Sequence, residues 1–394
     1  MAPRSDPQRI IPPGGITRRT VLGAAGALAL GGFATACGGP ATQSSSGSAS
    51  AGGKKLKDVT LVYGVPALDV TTAWFAAIPQ AVGFYAQQGL NVDVQALQGG
   101  SASIGALIAN RAQFATQSSQ IIFTSVDRGV NLKGFMCEIP GDFIGLAVMD
   151  SSPITQESQL REALRGKTIG VAAVGGNPEL EIRAVVKQLG LDPDHDVGFL
   201  AVGTGTPAIN ALKTGQVAAL GLWAMVYANF EAQGDRLRIF QPAPLPSLGF
   251  EHATVAMQKT IDNDPAMVAS FSRAIAQSLA FLSAAKPEEI VKLHYKQYPA
   301  TKPQGVSSGE AVAQGVKVLN SLLPYMDLEQ RMKAGQLLGD VPDSQIASVA
   351  TMLTEAKSIK KALPPDSYFT RQFLNGANDF DRDAVVAQAK KFTA

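Results

Sequence analysis

Eight residues of the chain have side chains or backbone groups suited to holding a small molecule. They follow predicted strands or begin predicted helices, and none of them carries a charge. Hydroxyl, amide and backbone N–H groups bind a ligand by hydrogen bonds, and an indole stacks on a flat or apolar part of it. The candidate ligand-binding set is Trp74, Ser101, Gln117, Ser118, Gly176, Asn177, Thr204 and Trp223. The set contains no Lys, Arg or carboxylate, so we expect binding and not catalysis.

The two tryptophans differ in how directly their positions indicate a ligand. Trp223 stands at the carboxyl end of a predicted strand, which is where ligands of open α/β sheets bind. Trp74 lies one turn into a predicted helix, just beyond a strand-helix loop. A tryptophan on the apolar stripe of a helix also serves in a hydrophobic core, so both interpretations of Trp74 stay open.

Two stretches repeat one pattern, Gly99–Ser118 and Gly205–Gly221. Each predicts a short helix, apolar at i, i+3 and i+4, that is capped by Ser101 or Thr206 and followed by a buried strand. The N-terminus of such a helix presents backbone N–H groups that lack a partner within the helix. The repeat therefore predicts two similar α/β units with a ligand cleft between them.

Two glycine-rich loops belong to the second unit. In Gly175-Gly176-Asn177-Pro178, Asn177 is predicted as the N-cap of a helix and Pro178 as its first residue. Residues 203–208 read GTGTPA, which formally matches a dinucleotide fingerprint. No acidic residue follows about twenty positions later to bind a ribose, so we interpret the loop as a contact for a small ligand.

Composition excludes several function classes. The 394 residues are 46% hydrophobic and 17% charged, which predicts a folded chain long enough for two domains. The histidines, His195, His252 and His294, are far apart, and with Cys37 and Cys137 they form no zinc-binding spacing. No basic stripe interleaved with aromatic residues predicts nucleic-acid binding. We expect no metal and no cofactor, and we expect Cys137 to be a buried apolar residue.

The N-terminal stretch has the pattern of an export signal. Arg18-Arg19 is a twin-arginine pair, and the apolar, glycine-rich run that follows ends in small residues before Cys37. Residues 1–36 are predicted to be a twin-arginine signal of lipoprotein type, and Cys37 is predicted to carry the lipid. Residues 37–56, rich in Gly, Ser and Ala, are predicted to be a flexible tether.

The remaining chain alternates strands and helices, which predicts an α/β protein. Linker signals at Ser151-Ser152-Pro153 and in the proline-rich residues 241–246 divide it. We predict a first lobe of residues 57–149 and 246–394 and a second lobe of residues 150–245.

Several segments together resemble one family. They are Ala81-x-Gly83-Phe84-Tyr85-x3-Gly89-Leu90-x-Val92, the Gly99-Gly100-Ser101 loop, Ala106-Leu107, Ala211-Leu212, Leu164-x-Gly166-Lys167-Thr168-Ile169-Gly170-Val171, and Asp264-Pro265 with Pro287-Glu288-Glu289. From Val59 to about Pro299 the chain resembles the substrate-binding proteins of ABC importers in the nitrate, sulfonate, taurine and thiamine-pyrimidine branch. The resemblance implies a type II periplasmic-binding-protein-like fold, in which two hinge strands join two α/β lobes around a ligand cleft.

The resemblance also implies a function. We expect an exported lipoprotein, held at the outer face of the cytoplasmic membrane, that binds a small organic anion of the sulfonate, nitrate or taurine kind as its lobes close. A monomer would then present the closed lobes to an ABC permease. A thiamine-pyrimidine or aromatic ligand, an enzyme on the same scaffold and an envelope sensor remain as alternatives.

Overall fold

The computed structural model describes residues 55–65, 67–243, 245 and 248–394. The predicted export signal, Cys37 and the predicted tether up to residue 54 lie outside the described residues. Everything below concerns the described part of the chain.

Ten strands form two separate five-stranded sheets. In chain order they are β1 (Lys57–Tyr63), β2 (Leu90–Ala96), β3 (Phe114–Ser118), β4 (Leu132–Ile139), β5 (Ile144–Met149), β6 (Lys167–Val171), β7 (Val197–Ala201), β8 (Ala219–Trp223), β9 (Leu237–Phe240) and β10 (His252–Met257). The sheet orders are β2-β1-β3-β10-β4 and β7-β6-β8-β5-β9. We call the elements around the first sheet the first lobe and those around the second sheet the second lobe.

Both sheets are mixed in the same way. In the first, β1 runs parallel to β2 and β3, whereas β10 is antiparallel to β3 and β4. In the second, β6 runs parallel to β7 and β8, whereas β5 is antiparallel to β8 and β9. In each sheet the antiparallel strand is the one that directly follows a crossing from the other lobe, β10 in the first sheet and β5 in the second. The repeated pattern in the sequence therefore corresponds to two sheets of matching topology.

The first crossing between the sheets lies earlier than we expected. Residues 144–149 were expected in the first lobe, but β5 pairs with β8 and β9 of the second sheet. The chain therefore crosses between Ile139 and Ile144 and returns between Phe240 and His252. Ser151-Ser152-Pro153 is an ordinary turn after β5, because proline and serine favour turns wherever a strand ends.

Helices cover both sheets and form most of the chain after β10. They are α1 (Ala77–Ala81), α2 (Phe84–Gln87), α3 (Gly100–Ile108), α4 (Ser119–Asp127), α5 (Leu160–Leu164), α6 (Asn177–Gln188), α7 (Thr206–Lys213), α8 (Ala224–Ala232), α9 (Gln258–Asn263), α10 (Pro265–Leu282), α11 (Pro287–Gln297), α12 (Ser308–Met326), α13 (Leu328–Lys333), α14 (Asp343–Glu355), α15 (Leu374–Ala377) and α16 (Arg382–Lys391). In the part of the chain that the structure describes, no helix is both long and apolar enough to cross a membrane.

The helix expected after β1 is broken in three. A 3-10 turn at Val70–Thr72 precedes α1 and α2, and Gly83 separates the two helices with a φ of 88°. This left-handed conformation costs glycine little, and it ends a helix because the next N–H no longer points along the axis. The apolar periodicity identified the buried side of this segment but did not indicate the break.

The C-terminal helices pack on both lobes. Tyr368 stacks on Phe123 of α4 with 3.8 Å between ring centroids, which attaches the last part of the chain to the first lobe. Helix α12 also packs along α8 of the second lobe, where Lys317 Nζ lies 3.5 Å from Glu231 Oε2. We expected the C-terminal region to belong to the first lobe. Its contact with α8 of the second lobe was not expected.

Candidate functional site

The loops at the carboxyl ends of strands from both sheets lie against each other. Gln120, just after β3, donates a hydrogen bond from Nε2 to the carbonyl of Gly175, which follows β6, at 3.3 Å. Across the same boundary, Asn177 Nδ2 lies 3.2 Å from Glu251 Oε1. In open α/β sheets this edge is where ligands bind. We call the region between these loops the cleft.

On the first-lobe side, three of the predicted site residues come together around the start of α3. Gln117 is 2% exposed, and its Oε1 lies 2.8 Å from the position that a Cβ on Gly100 would take. The neighbouring Ser118 is the N-cap of α4, and its Oγ accepts a 3.5 Å hydrogen bond from Ile121 N. Gln117 Nε2 is buried and has no hydrogen-bond partner. Gln117 therefore supplies an unpaired donor next to the α3 N-terminus, where Ser101 is exposed.

The start of α3 is held in place by the end of β1. A Cβ on Gly64 would lie 2.6 Å from both the backbone nitrogen of Gly100 and the carbonyl carbon of Gly99. Real Cβ atoms do not approach backbone atoms this closely, so only glycine allows the two segments to meet. The contact fixes where the first N–H groups of α3 point.

The three helices that face the cleft begin at glycines, and the predicted caps were wrong. Ser101, Asn177 and Thr206 lie within the first turns, and the N-caps are Gly99, Gly176 and Gly205, none with a side-chain cap hydrogen bond. At Gly99 the φ of 88° excludes most other residues. Because a glycine cap has no side-chain acceptor, the N–H groups of the first turn stay available to a ligand.

An aromatic cluster lies where the two crossings meet the cleft. The ring of His252 stacks on Phe143 with 5.7 Å between centroids, and its Nε2 lies 3.2 Å from the hydroxyl of Tyr63. Burial lowers the pKa of His252 to about 4, so this imidazole is neutral at physiological pH. Trp223, half-buried at the end of β8, lies beside this cluster because its neighbour Ala224 donates from its backbone N to the carbonyl of Phe143 at 2.8 Å.

The other two predicted site residues differ in burial. Trp74 is 2% exposed and packs edge-to-face on Phe75 with 4.6 Å between centroids, inside the core of the first lobe. Trp74 is therefore a core residue, which is one of the two interpretations that the sequence left open. Thr204 is exposed in the loop before α7, next to Gly203, whose φ is 72°.

Four buried polar side chains meet beside the cleft, and sequence reasoning identified only one of them. Asn177 Nδ2 lies 2.7 Å from Glu181 Oε1 and 3.2 Å from Glu251 Oε1. Oxygens of Glu181, Glu251 and Asp142 all lie within 4.8 Å of one another. We call Asp142, Asn177, Glu181 and Glu251 the carboxyl cluster. The spacing of Glu181, four residues after Asn177, could have indicated their pairing on one helix face.

Burial dominates the electrostatics of this cluster. It raises the pKa of Asp142 to about 7. The pKa values of Glu181 and Glu251 are also well above the ordinary range, first because of burial and then because of the neighbouring Asp142 charge. A backbone hydrogen bond from Ile144 N to Asp142 Oδ1, at 2.8 Å, opposes the shift of Asp142. The cluster needs either protons or a positive charge to be stable in the fold.

Comparison with known proteins shows the family and the fold of this chain. A model described as NMT1/THI5 like matches residues 72–290, more than half of the chain. Among curated proteins, none matches this sequence.

Three solved structures are similar to the described chain. The first is a protein from Bordetella bronchiseptica RB50, at 20% identity and a TM-score of 0.59, covering 82% of this chain and 97% of its own. The second is the ligand-binding component of an ABC-type import system from Staphylococcus aureus with zinc bound, at 11% identity and a TM-score of 0.57, with coverages of 82% and 100%. The third is a putative periplasmic sulfonate-binding protein, SsuA, from Methylobacillus flagellatus KT, at 15% identity and a TM-score of 0.56, with coverages of 82% and 94%. The expected two-lobed α/β fold of type II periplasmic binding proteins is confirmed.

Proposed function

Because the chain belongs to the NMT1/THI5-like family, we propose that it is the extracytoplasmic solute-binding component of an ABC importer. Among the similar structures, the Staphylococcus aureus protein is described as the ligand-binding component of an ABC-type import system, and the Methylobacillus flagellatus protein as a periplasmic sulfonate-binding protein. The matched sheets provide two lobes joined by two crossings, which is the arrangement that closes around a solute by a hinge motion. Closed lobes would then present one surface to a membrane permease.

The proposed ligand is a small organic anion of the sulfonate class, and the supporting observation is the set of donors on the first-lobe side. The unpartnered Nε2 of buried Gln117, the Ser118 hydroxyl and the N-terminus of α3 are all located there. Such groups bind an anion without a basic side chain, because each presents an N–H or O–H dipole. The anionic head is assigned to this side, because the available donors lie here, whereas the carboxyl cluster at α6 consists mainly of acceptor oxygens.

Trp223 suits the apolar body of such a ligand. It is half-buried at the end of β8, and the next residue, Ala224, donates a backbone hydrogen bond to the carbonyl of Phe143. The proposed contact set is therefore Ser101, Gln117, Ser118, Gly176, Asn177, Thr204 and Trp223. Trp74 is left out of it because its side chain is 2% exposed in the core.

A fluorescence titration tests the ligand and the site together, because the sequence contains only two tryptophans. Alkyl and aryl sulfonates should change the emission of the wild-type protein and of Trp74→Phe, whereas Trp223→Phe should show no response. Aromatic carboxylates and aminopyrimidines serve as comparison ligands. A response to aminopyrimidines alone would reject the anion in favour of a pyrimidine. A response that is lost in Trp74→Phe but kept in Trp223→Phe would reject the assignment of the site.

The proposal includes export and lipid attachment at Cys37. The twin-arginine pair, the small residues before Cys37 and the tether-like residues after it support this part. Mass spectrometry of the protein from membranes should find the chain beginning at an acylated Cys37, and Cys37→Ala should move the protein to the soluble envelope fraction. A wild-type protein that begins elsewhere and carries no lipid would contradict it.

The first lobe would comprise residues 57–139 and 252–394, and the second lobe residues 144–240.

A further inference from the structure

A hydrogen bond between Tyr63 and His252 passes over strand β3 at the edge of the first sheet that faces the cleft. Tyr63 is the last residue of β1 and His252 is the first residue of β10, and β3 lies between those two strands. The Tyr63 hydroxyl lies 3.2 Å from His252 Nε2. Both residues are half-buried, so part of each remains open to solvent at this edge.

The register of the sheet shows which way the two side chains lean. Tyr63 pairs with Thr116 of β3, whereas His252 pairs with Ser118, two residues closer to the carboxyl end of that strand. Paired residues and residues two apart in a strand have side chains on one face, so Tyr63, His252 and Ser118 share a face. Two residues span about 7 Å, so the Tyr63 ring must lean toward the carboxyl end of β3 to reach His252. Its hydroxyl therefore lies near the end of β3 at which Ser118, a residue of the proposed contact set, is located.

At neutral pH the pair carries two hydrogens that can be donated, and the contact between the two residues uses one of them. Burial lowers the pKa of His252 to about 4, so the ring carries a single N–H. Burial, followed by the charges of Asp69 and Glu251, holds the pKa of Tyr63 well above its ordinary value, so the hydroxyl keeps its proton. Among the described residues, neither the hydroxyl nor the second ring nitrogen has another hydrogen-bond partner. One donor hydrogen of the pair is therefore unused.

The second ring nitrogen, His252 Nδ1, indicates which hydrogen is unused. Nδ1 is buried and has no hydrogen-bond partner in the described part of the chain. An enclosed N–H without an acceptor is rarer in folded proteins than an enclosed acceptor without a donor. The hydrogen of the ring is therefore on Nε2, which donates it to the Tyr63 oxygen. This leaves the hydroxyl hydrogen of Tyr63 free to point into the cleft.

Neighbouring rings hold both side chains in place. His252 stacks on Phe143 of the first crossing with 5.7 Å between centroids, and Tyr63 packs edge-to-face on Phe75 at 5.4 Å. The residue after Tyr63, Gly64, lies against the start of α3. The hydroxyl therefore has a fixed position relative to the first N–H groups of α3. A donor that is fixed in advance loses little entropy when it binds a ligand.

We propose that Tyr63 binds the solute by donating its free hydroxyl hydrogen to an acceptor oxygen of the anionic head, and that His252 is the positioning residue that directs this hydrogen. The inference rests on the proposed function, because it adds one donor to those of Gln117, Ser118 and the start of α3. It also restricts the solute. The atom at Tyr63 must be an acceptor, since an ammonium or amide N–H there would leave the hydroxyl hydrogen unpaired.

The pair was not predicted from the sequence, because its members are 189 residues apart. Tyr63 suits a strand as any aromatic residue does, and His252 is one of three histidines that lie far apart in the sequence. Their contact depends on β10 entering the sheet next to β3, which no local pattern shows.

The first experiment compares solute affinities by fluorescence titration with sulfonates. Tyr63→Phe keeps the ring and removes the free hydrogen, and we expect its Kd to be about tenfold to a hundredfold higher than that of the wild type, as for a lost hydrogen bond to a charged group. Tyr298→Phe is the matched control. Tyr298 is also half-buried, its ring stacks on His294 with 5.1 Å between centroids, and its hydroxyl donates to Gln80 Oε1 at 3.0 Å. This variant should bind sulfonates as the wild type does.

Two further measurements test the role of His252. Glutamine retains an N–H that can reach the Tyr63 hydroxyl, so His252→Gln should bind sulfonates more tightly than His252→Phe, which has no donor. Nitrogen-15 NMR of the imidazole rings reports the tautomer without any solute, and the signals of the three histidines are assigned by their loss in single variants. We expect a neutral His252 ring at pH 7 with its hydrogen on Nε2.

The possible failures are distinguishable. A folded Tyr63→Phe protein with the wild-type Kd would show that the hydroxyl does not contact the solute, and the proposed function would then still stand. A ring hydrogen on Nδ1, or equal affinities of His252→Gln and His252→Phe, would remove the positioning role. A wild type that binds no sulfonate would overturn the proposed function and this inference with it. Melting temperatures show whether each variant folds, and if Tyr63→Phe does not, the His252 variants and the NMR measurement still decide the question.

Discussion

Replacing Gly64 with alanine is expected to weaken solute binding by roughly tenfold to a hundredfold. The new Cβ would lie 2.6 Å from the backbone nitrogen of Gly100, so β1 and the start of α3 must move apart. Overpacking against backbone of this kind costs about 1–3 kcal/mol, and each 1.4 kcal/mol is a tenfold change in affinity when it falls on the binding site. The displaced segment carries the N–H groups proposed to hold the anion.

Gly105→Ala is the matched control for this prediction. Gly105 lies in the same helix, and a Cβ there would meet no atom within 4 Å. Alanine in the interior of a helix is about 0.5–1 kcal/mol more stable than glycine, so this variant should be slightly stabilised and should bind the solute normally. The solute Kd of both variants is measured by fluorescence titration and their unfolding by urea. Equal affinities of Gly64→Ala and wild type would show that the start of α3 does not hold the ligand.

Glu138→Gln is expected to make the protein more stable than the wild type above pH 8, by several kcal/mol. Glu138 lies in β4 and is fully buried, with its Oε1 accepting a 2.5 Å hydrogen bond from Thr254 Oγ1. Burial raises the pKa of this carboxyl to about 8. In the unfolded chain the pKa returns to its ordinary value of about 4.5, so the folded state holds the proton more tightly.

The sign of the effect follows from that difference. Stability from the bound proton is complete below pH 4.5 and is lost as the pH rises to 8, at roughly 1.4 kcal/mol for each unit of pKa difference. Glutamine copies the neutral acid in shape and cannot ionise. Urea unfolding at pH 5 and pH 9 should therefore show that the free-energy advantage of Glu138→Gln grows with pH. The control is Glu355→Gln, at a surface carboxylate whose side chain is 62% exposed, and its free-energy difference from the wild type should stay nearly constant. A pH-independent difference for Glu138→Gln would contradict the raised pKa.

The sequence was most informative where a pattern repeats over many residues. The two helix-strand stretches beginning at Gly99 and Gly205 led to two sheets of matching topology. The ends of these helices were less predictable. A hydroxyl or amide after a glycine is a strong cap signal, but the cleft-facing helices begin at the glycines themselves, and at Gly99 the left-handed φ of 88° favours glycine.

Contacts between distant segments could not be predicted. Nothing in the local pattern of Trp74 distinguished a core position from a cleft position, because both suit an aromatic residue on the apolar side of a short helix. The meeting of Asp142, Glu181 and Glu251 depends on where two crossings pass one helix. The place of the first crossing was itself misjudged, since strand β5 looks the same in sequence whichever sheet it joins.

The packing of α12 along α8 affects how far the lobes can separate. Two crossings alone allow a wide rotation, but a first-lobe helix lying along a second-lobe helix must lose that contact before the lobes swing apart. The unliganded protein would then rest close to its closed arrangement and sample fewer open ones. Such a receptor gives up less freedom when it captures a solute, and it releases the solute slowly unless another protein separates the two helices.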